Sequence, residues 1–399
     1  MLRARSVIIV IAYVCLFISC QPDQRRPSSP TADAKFHHSL PAGVALREEH
    51  NGRIIPRAVQ FHPERPDHPG LVALRERENL AEVVKAGTDE WSRMKLLCSW
   101  VNSQFPMSVP DPYPNWDANQ ILDMIRAGRT GGFCAQYAVV MVQGCLALGW
   151  PARILDVKGQ APDSGGHISV EVWSNQFNSW LLLDPTFDAS FERDGRPLSA
   201  LEVHQALVDG QAGEIKVVRG TGRNGKHNSG GPDAKLAENF FHLACDLRND
   251  HLSRPLSFWD RADGYLSFAD QFTDGQPIIF RAITSDPADF NFPLNQVEAL
   301  LMPGPAPGRL ICSIRTNMEN PAALDIATVA GQWQRHNLSA LPDGDPDLHF
   351  ALSLLHGHVI NYAWHLAPGD NELRLRAVDH NGNAGPVTYL KISMTVVAH

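Results

Sequence analysis

The hydrophobic pattern of the chain is densest between residues 71 and 184, and within that stretch its period changes from helical to strand-like. From Leu71 to Phe105 apolar residues recur at helical spacing, with Trp91, Met94, Leu97, Cys98 and Val101 on one stripe. Thr88-Asp89-Glu90 offers a start signal, and the stretch predicts two helices. Asp117 to Ala127 predicts a short amphipathic helix ending at Gly128. Ala135 to Leu148 is apolar on nearly all sides, the pattern of a helix buried at the centre of a domain, and Gly149-Trp150-Pro151 stops it. Strands follow at Ala152 to Lys158, His167 to Trp173 and Trp180 to Asp184. In the second of these, His167, Ser169, Glu171 and Trp173 share one face and Ile168, Val170 and Val172 the other; Trp180, Leu182 and Asp184 likewise share a face. A hairpin turning through Ser174-Asn175-Gln176-Phe177 sets His167 opposite Asp184. A register shifted by two keeps them diagonal neighbours on one face.

Outside that stretch the pattern changes character. Pro197 to Leu207 reads as a helix, and Gly220 to Pro232 as a glycine-rich loop. The loop matches phosphate-loop patterns literally, but His227 stands where Ser or Thr is required and Asn228-Ser-Gly-Gly-Pro232 follows where a helix must begin, so it is a surface loop and not a nucleotide site. Phe240 to Phe272, rich in aromatics and including Trp259, is expected to cover the core. From about Phe292 short alternating strands are punctuated by Pro303-Gly-Pro-Ala-Pro-Gly308, Pro368-Gly-Asp-Asn371 and Asn381-Gly-Asn383, an all-β signature. The division is a leader over 1–19, a tether and extension over 20–70, a core over 71–210, a loop and packing segment over 211–291, and an all-β region over 292–399.

Composition narrows the class. The 399 residues, 44% hydrophobic and 20% charged, are enough for two or three domains. A formal charge of −8 provides no basic face for a phosphate backbone, so no nucleic-acid partner is expected. Arg3 and Arg5 followed by apolar Val7 to Ile18 form an export signal, and Phe17-Ile18-Ser19-Cys20 resembles a bacterial lipobox. Cys20 is thus the expected lipidation site, with membrane attachment through an N-terminal lipid anchor and a location in the cell envelope. Gln21 to about Lys35, polar and proline-rich, is the tether. Five cysteines remain after Cys15 and Cys20, an odd number that leaves at least one free thiol, and no C-x-x-C pair supports a zinc or redox site. His356-Gly-His358 has no third ligand in view and reads as a polar strand face. No metal and no cofactor are expected.

The candidate chemistry is carried by Cys134, which follows Gly131-Gly132-Phe133 at the start of the buried helix. That position aims amide dipoles at the sulfur, favours thiolate and supplies N–H groups for an oxyanion. A thiol, the His167 imidazole and the Asp184 carboxylate, in that order, are the parts of a cysteine nucleophile with a base and an orienting acid. The competing account is a buried structural cysteine with two unrelated polar residues; the helix start and the shared strand face weigh against it.

At these residues the sequence resembles the transglutaminase-like superfamily, whose core has papain-like topology. The matching text is Gly132-Phe-Cys134-Ala-Gln-Tyr137-Ala138, Leu148-Gly-Trp-Pro-Ala-Arg153, His167-Ile-Ser-Val-Glu171-Val, and Trp180 with Asp184-Pro185-Thr186, within about Leu71 to Leu207. The resemblance implies an α+β fold, with the cysteine on a helical part packed against an antiparallel sheet. It also implies Cys134 as nucleophile, His167 as base and Asp184 as its partner, with Asp188 as the fallback acid. Pro368 to Asp379, with Asn381-Gly-Asn383 and Gly385-Pro386, resembles immunoglobulin-like or fibronectin-type sandwich modules. Animal cross-linking members carry Gln and Trp beside the cysteine, whereas Phe133 and Ala135 stand here, so transamidation is not implied. The absence of an EF-hand-like acidic loop leaves calcium dependence unsupported. The expectation is an exported thiol acyl-transfer enzyme, a cysteine peptidase or amidase acting on protein, peptide or cell-wall amides. The alternative is a catalytically silent lipoprotein that binds or scaffolds.

Overall fold

The computed structural model describes residues 38–52, 54, 60–161, 163–222, 233–255, 264–273, 275, 277–279, 282–318, 321–338, 348–353 and 357–395. The export signal, Cys20 and the tether lie outside these residues, as do Trp259, His356 and most of the glycine-rich loop.

After strand β1 (Val44–His50) and the two-residue β2 (His62–Pro63) the helical part begins. It comprises α1 (Pro69–Arg77), α2 (Leu80–Val84), α3 (Glu90–Ser103), α4 (Ala118–Arg126) and α5 (Cys134–Ala147). The Leu71–Phe105 stretch therefore holds three helices where the periodicity predicts two, because Asn79 adopts a left-handed conformation (φ 49°) that separates α1 from α2. The predicted start of α3 is its N-cap: Asp89 accepts from the Ser92 N–H at 2.7 Å, and the Ser92 hydroxyl accepts from the Asp89 N–H at 3.1 Å. Helix α5 ends before Gly149, whose φ of 82° suits a residue without a side chain.

The sheet strands follow in chain order. They are β3 (Ala152–Lys158), β4 (Gly166–Ser174), β5 (Ser179–Asp184), β6 (Ala189–Arg193), β7 (Arg196–Pro197) and, after α6 (Ala200–Val208), β8 (Lys216–Arg219). Past α7 (Asp233–Ala237), β9 (His242–Asp246), β11 (Tyr265–Phe268) and β12 (Ala282–Thr284) join the same sheet, while the short β10 (Arg248–Asn249) pairs with β2. The order is β12-β11-β9-β3-β4-β5-β6-β7, with β8 on β6. Residues 240–272 thus extend the core sheet through β9 and β11, antiparallel to each other, with β9 antiparallel to β3.

Alternation along β4 and β5 sends one set of side chains to each side. Val170, Val172, Leu181 and Leu183 pack with α1 to α5, and Trp173, Trp180 and Leu182 pack with α6, β9 and Phe292. The hairpin register is the shifted one: Trp173 pairs with Trp180 and Ser174 with Ser179, so His167 and Asp184 are diagonal, not opposite. The cause lies in the turn. Asn178 takes a left-handed conformation (φ 50°), and the Asn175 and Asn178 side chains accept from Asn295 Nδ2 at 3.0 Å and Gln296 Nε2 at 2.7 Å, which fixes a four-residue loop over 175–178.

Following α8 (Pro287–Phe290), residues 297–394 form β13 (Val297–Pro303), β14 (Arg309–Thr316), β15 (Ala323–Ala327), β16 (Gln334–Asn337), β17 (Leu348–Ser353), β18 (Gly357–His365), β19 (Gly369–Val378) and β20 (Thr388–Met394). They make two sheets, β13-β14-β18-β17 and β1-β20-β19-β15-β16, which share one apolar cluster including Leu301, Ile314, Trp364, Leu375 and Ile392. β1, from the extension that precedes the core, is an edge strand of the second sheet and pairs with β20. This all-β region meets the core at the C-terminal end of α5, where Asn383 Nδ2 donates to the Gly149 carbonyl at 3.5 Å.

Candidate active site

Cys134 is the first residue of α5 and is partly exposed; Cys98, Cys145, Cys245 and Cys312 are buried, and all five are free thiols. The Gly131-Gly132 pair before it meets a steric demand. A side chain on Gly131 would overlap the Val109 carbonyl, and one on Gly132 would overlap the Phe105 ring. Phe105 is itself fixed from α5, since the Tyr137 hydroxyl donates to its carbonyl at 2.5 Å. Gln136 reaches back from the first turn and accepts from the Phe133 N–H at 3.1 Å, so the backbone entering the helix is held from within the helix. Burial pushes the other thiols up, well above the usual range for Cys98, Cys145 and Cys312 and to about 12 for Cys245.

His167 and Asp184 meet as the strand parity requires: Nε2 lies 2.7 Å from Oδ2. Asp184 is fully buried, and its Oδ1 accepts from the Thr186 and Phe187 N–H groups at 3.0 and 3.2 Å. The carboxylate therefore has defined partners on both oxygens, which fixes its orientation. The Cys134 sulfur acts on the same ring and favours its charged form. Burial disfavours the charged imidazole, but the Asp184 carboxylate and the Cys134 sulfur outweigh it and push His167 up to about 10. A helix-start thiol thus influences an imidazole that is itself bonded to a buried carboxylate. Residues 78–185 match the transglutaminase-like superfamily model. The transglutaminase-like match covers about a quarter of the chain, starts at the end of α1 and closes immediately after Asp184, so all three residues fall inside it. No curated protein matches the chain.

The turn that follows the transglutaminase-like segment carries the part that sequence reasoning missed. Asn102, fully buried on α3, donates from Nδ2 to the Pro185 and Thr186 carbonyls, each at 3.0 Å, and so clamps the turn that presents Asp184. The signal is legible in hindsight: Asn102 stands four residues after Cys98 on the apolar stripe of α3, where a polar residue needs a buried partner. Asp188, the fallback acid, is occupied elsewhere. It adopts φ 48° and accepts from the Ser99 hydroxyl at 2.9 Å and the Gly222 N–H at 2.6 Å; burial pushes its carboxyl up against those bonds. Among the described residues no group of three or more His, Cys, Asp or Glu could hold a metal ion, and no helix is long and apolar enough to cross a membrane.

Proposed function

We propose that the protein is a thiol acyl-transfer enzyme of the transglutaminase-like kind, exported and held at the cell envelope through a lipid on Cys20. It acts on peptide, protein or cell-wall amides. The observation that carries the reading is the single ring of His167, bonded to the Asp184 carboxylate at 2.7 Å and raised also by the sulfur of a partly exposed helix-start cysteine. In the first half-reaction Cys134 attacks the amide carbonyl, the S–C bond forms and the C–N bond breaks, and the His167 imidazolium gives its proton to the departing amine. The carbonyl oxygen, anionic in between, is met by N–H groups of the first turn of α5, which have no partner within the helix. In the second, water loses a proton to His167, attacks the thioester and releases Cys134. Asp184 keeps the ring oriented and favours its charged form.

The fold supporting this chemistry is read as a papain-like core, with the two C-terminal sheets as an immunoglobulin-like sandwich. The reading is tested by iodoacetamide labelling of the folded protein followed by peptide mapping. Cys134 should be alkylated at least about 100-fold faster than buried Cys98 or Cys145, and His167→Ala should remove most of that advantage. Equal, slow labelling of all three thiols would identify instead a silent scaffold that keeps the fold.

A further inference from the structure

Beside the glycine turn that leads into Cys134 lies a segment with exposed apolar side chains. Met107, Val109 and Tyr113 are 59%, 73% and 40% exposed, and all three lie on one segment that covers the Gly131-Gly132 turn. That segment is fixed to the turn by several contacts. The Ser108 N–H donates to the Gly132 carbonyl at 2.7 Å, the Thr130 hydroxyl donates to the Pro112 carbonyl at 2.6 Å, and the Val109 carbonyl fills the space a side chain on Gly131 would need. The Tyr113 ring stands edge-on to Phe133, the residue before Cys134, with centroids 6.2 Å apart. Beside His167 the surface is different. Gly165 and Gly166 are exposed, and a Cβ on either would meet nothing within 4 Å. The segment before Cys134 therefore offers apolar side chains, and the residues before His167 offer bare backbone.

We propose that the 107–113 segment is the acyl-donor subsite, and that it selects donors carrying a bulky apolar side chain within two residues of the amide that is cut. The inference rests on the thiol acyl-transfer reading above and adds the substrate class to it. Exposed apolar surface is unfavourable in water, and a donor side chain laid on Met107, Val109 and Tyr113 removes it while bringing the carbonyl to the sulfur. Because the segment is bonded to the turn that positions Cys134, this surface needs no ordering when a donor arrives. The bare glycines before His167 let the donor backbone approach that ring without a side chain in its way.

The test uses two covalent probes, N-acetyl-Phe-Phe-chloromethyl ketone and N-acetyl-Gly-Gly-chloromethyl ketone. Each reacts by displacement of chloride as the Cys134 S–C bond forms, and labelling is followed by intact mass. The wild-type protein should react with the Phe-Phe probe at least about tenfold faster than with the Gly-Gly probe, as burial of an aromatic side chain predicts. Val109→Asp and the milder Tyr113→Ala should each lower that ratio, the first to below about threefold. The ratio is internal to each variant, so partial unfolding, which slows both probes, does not imitate the effect. Equal rates for the two probes, or a ratio that neither substitution moves, would overturn the inference while leaving fast iodoacetamide labelling of Cys134, and thus the enzymatic reading, intact. Slow iodoacetamide labelling of Cys134 would sink both.

Discussion

The two ends of α5 carry the same kind of residues to different ends. At its start, Cys134 is partly exposed, follows a glycine turn covered by a segment with exposed apolar side chains, and has a sulfur that helps raise His167. At its close, Gly149 lies beneath Asn381 and Asn383 of the all-β region, and the neighbouring β4–β5 turn is held by Asn295 and Gln296. Fourteen residues, about 20 Å of helix, separate them. Cys145, eleven residues after Cys134 on the same helix, is wholly buried with its thiol pushed up by burial alone. The same side chain is open or closed to solvent according to which end of the helix it occupies and what faces it. One end is arranged for access and charge, the other for attachment.

The sharpest way to break this contrast is to exchange the two sulfurs for other atoms. Cys134→Ser should lower acetyl-enzyme formation from p-nitrophenyl acetate, read by intact mass, by about 10³-fold or more. Cys145→Ala should lower the thermal midpoint by an amount matching about 1 kcal/mol and leave acetylation per folded molecule unchanged. A Cys145→Ala protein that folds yet fails to acetylate would remove the distinction between the ends.

A smaller effect, with a pH signature, is expected at Asp184. The folded His167 is raised from 6.5 to about 10, so the imidazolium's contribution to stability is complete below about pH 6.5 and is lost as pH rises through about 10. The alkaline fall in acetylation rate should track the same loss of the ring proton. Asp184→Asn removes the carboxylate that raises the ring, so the rate should drop by about 10²-fold and the alkaline limb should move to lower pH. A drop in rate with an unmoved limb would mean that Asp184 only packs.

The sequence shows the buried helix, the three strands after it and the pairing of His167 with Asp184, because each is written in local periodicity. Side chains alternate along a strand, so a register slip of two leaves both residues on one face, and the pairing survived the slip that the structure contains. The slip itself was not legible, since it is set by Asn295 and Gln296, more than a hundred residues beyond the turn they hold. Asp184 and Asp188 have the same parity, and only the folded turn, with Ser99 and Gly222 claiming Asp188, separates them. The pairing of β1 with β20 and the docking of β9 on β3 are likewise long-range contacts with no local signature.

Asn102 supplies the next smaller effect. Asn102→Ala leaves the Pro185 and Thr186 carbonyls without their buried donor, which should cost about 1–3 kcal/mol in chemical denaturation. Because those carbonyls flank the turn presenting Asp184, acetylation should also fall by about tenfold, with part of the Asp184→Asn shift in the alkaline limb. Lost stability with an unchanged limb would make Asn102 purely structural.

Gly149 measures whether the attached end speaks to the one that carries Cys134. Its φ of 82° is unfavourable for any residue with a side chain, and a Cβ there would overlap the Asn381 amide. Gly149→Ala should therefore destabilise the protein by about 1–2 kcal/mol and loosen the seat of the all-β region. The first turn of α5, however, is held by Phe105, Gln136 and the glycine turn, none of which touches Gly149. The rate of Cys134 alkylation in the folded fraction and the position of the alkaline limb should stay as in the wild type. If instead alkylation slowed in step with the loosened C-terminal end, the helix would be transmitting strain along its length, and the all-β region would be acting on the site instead of only supporting the domain that contains it.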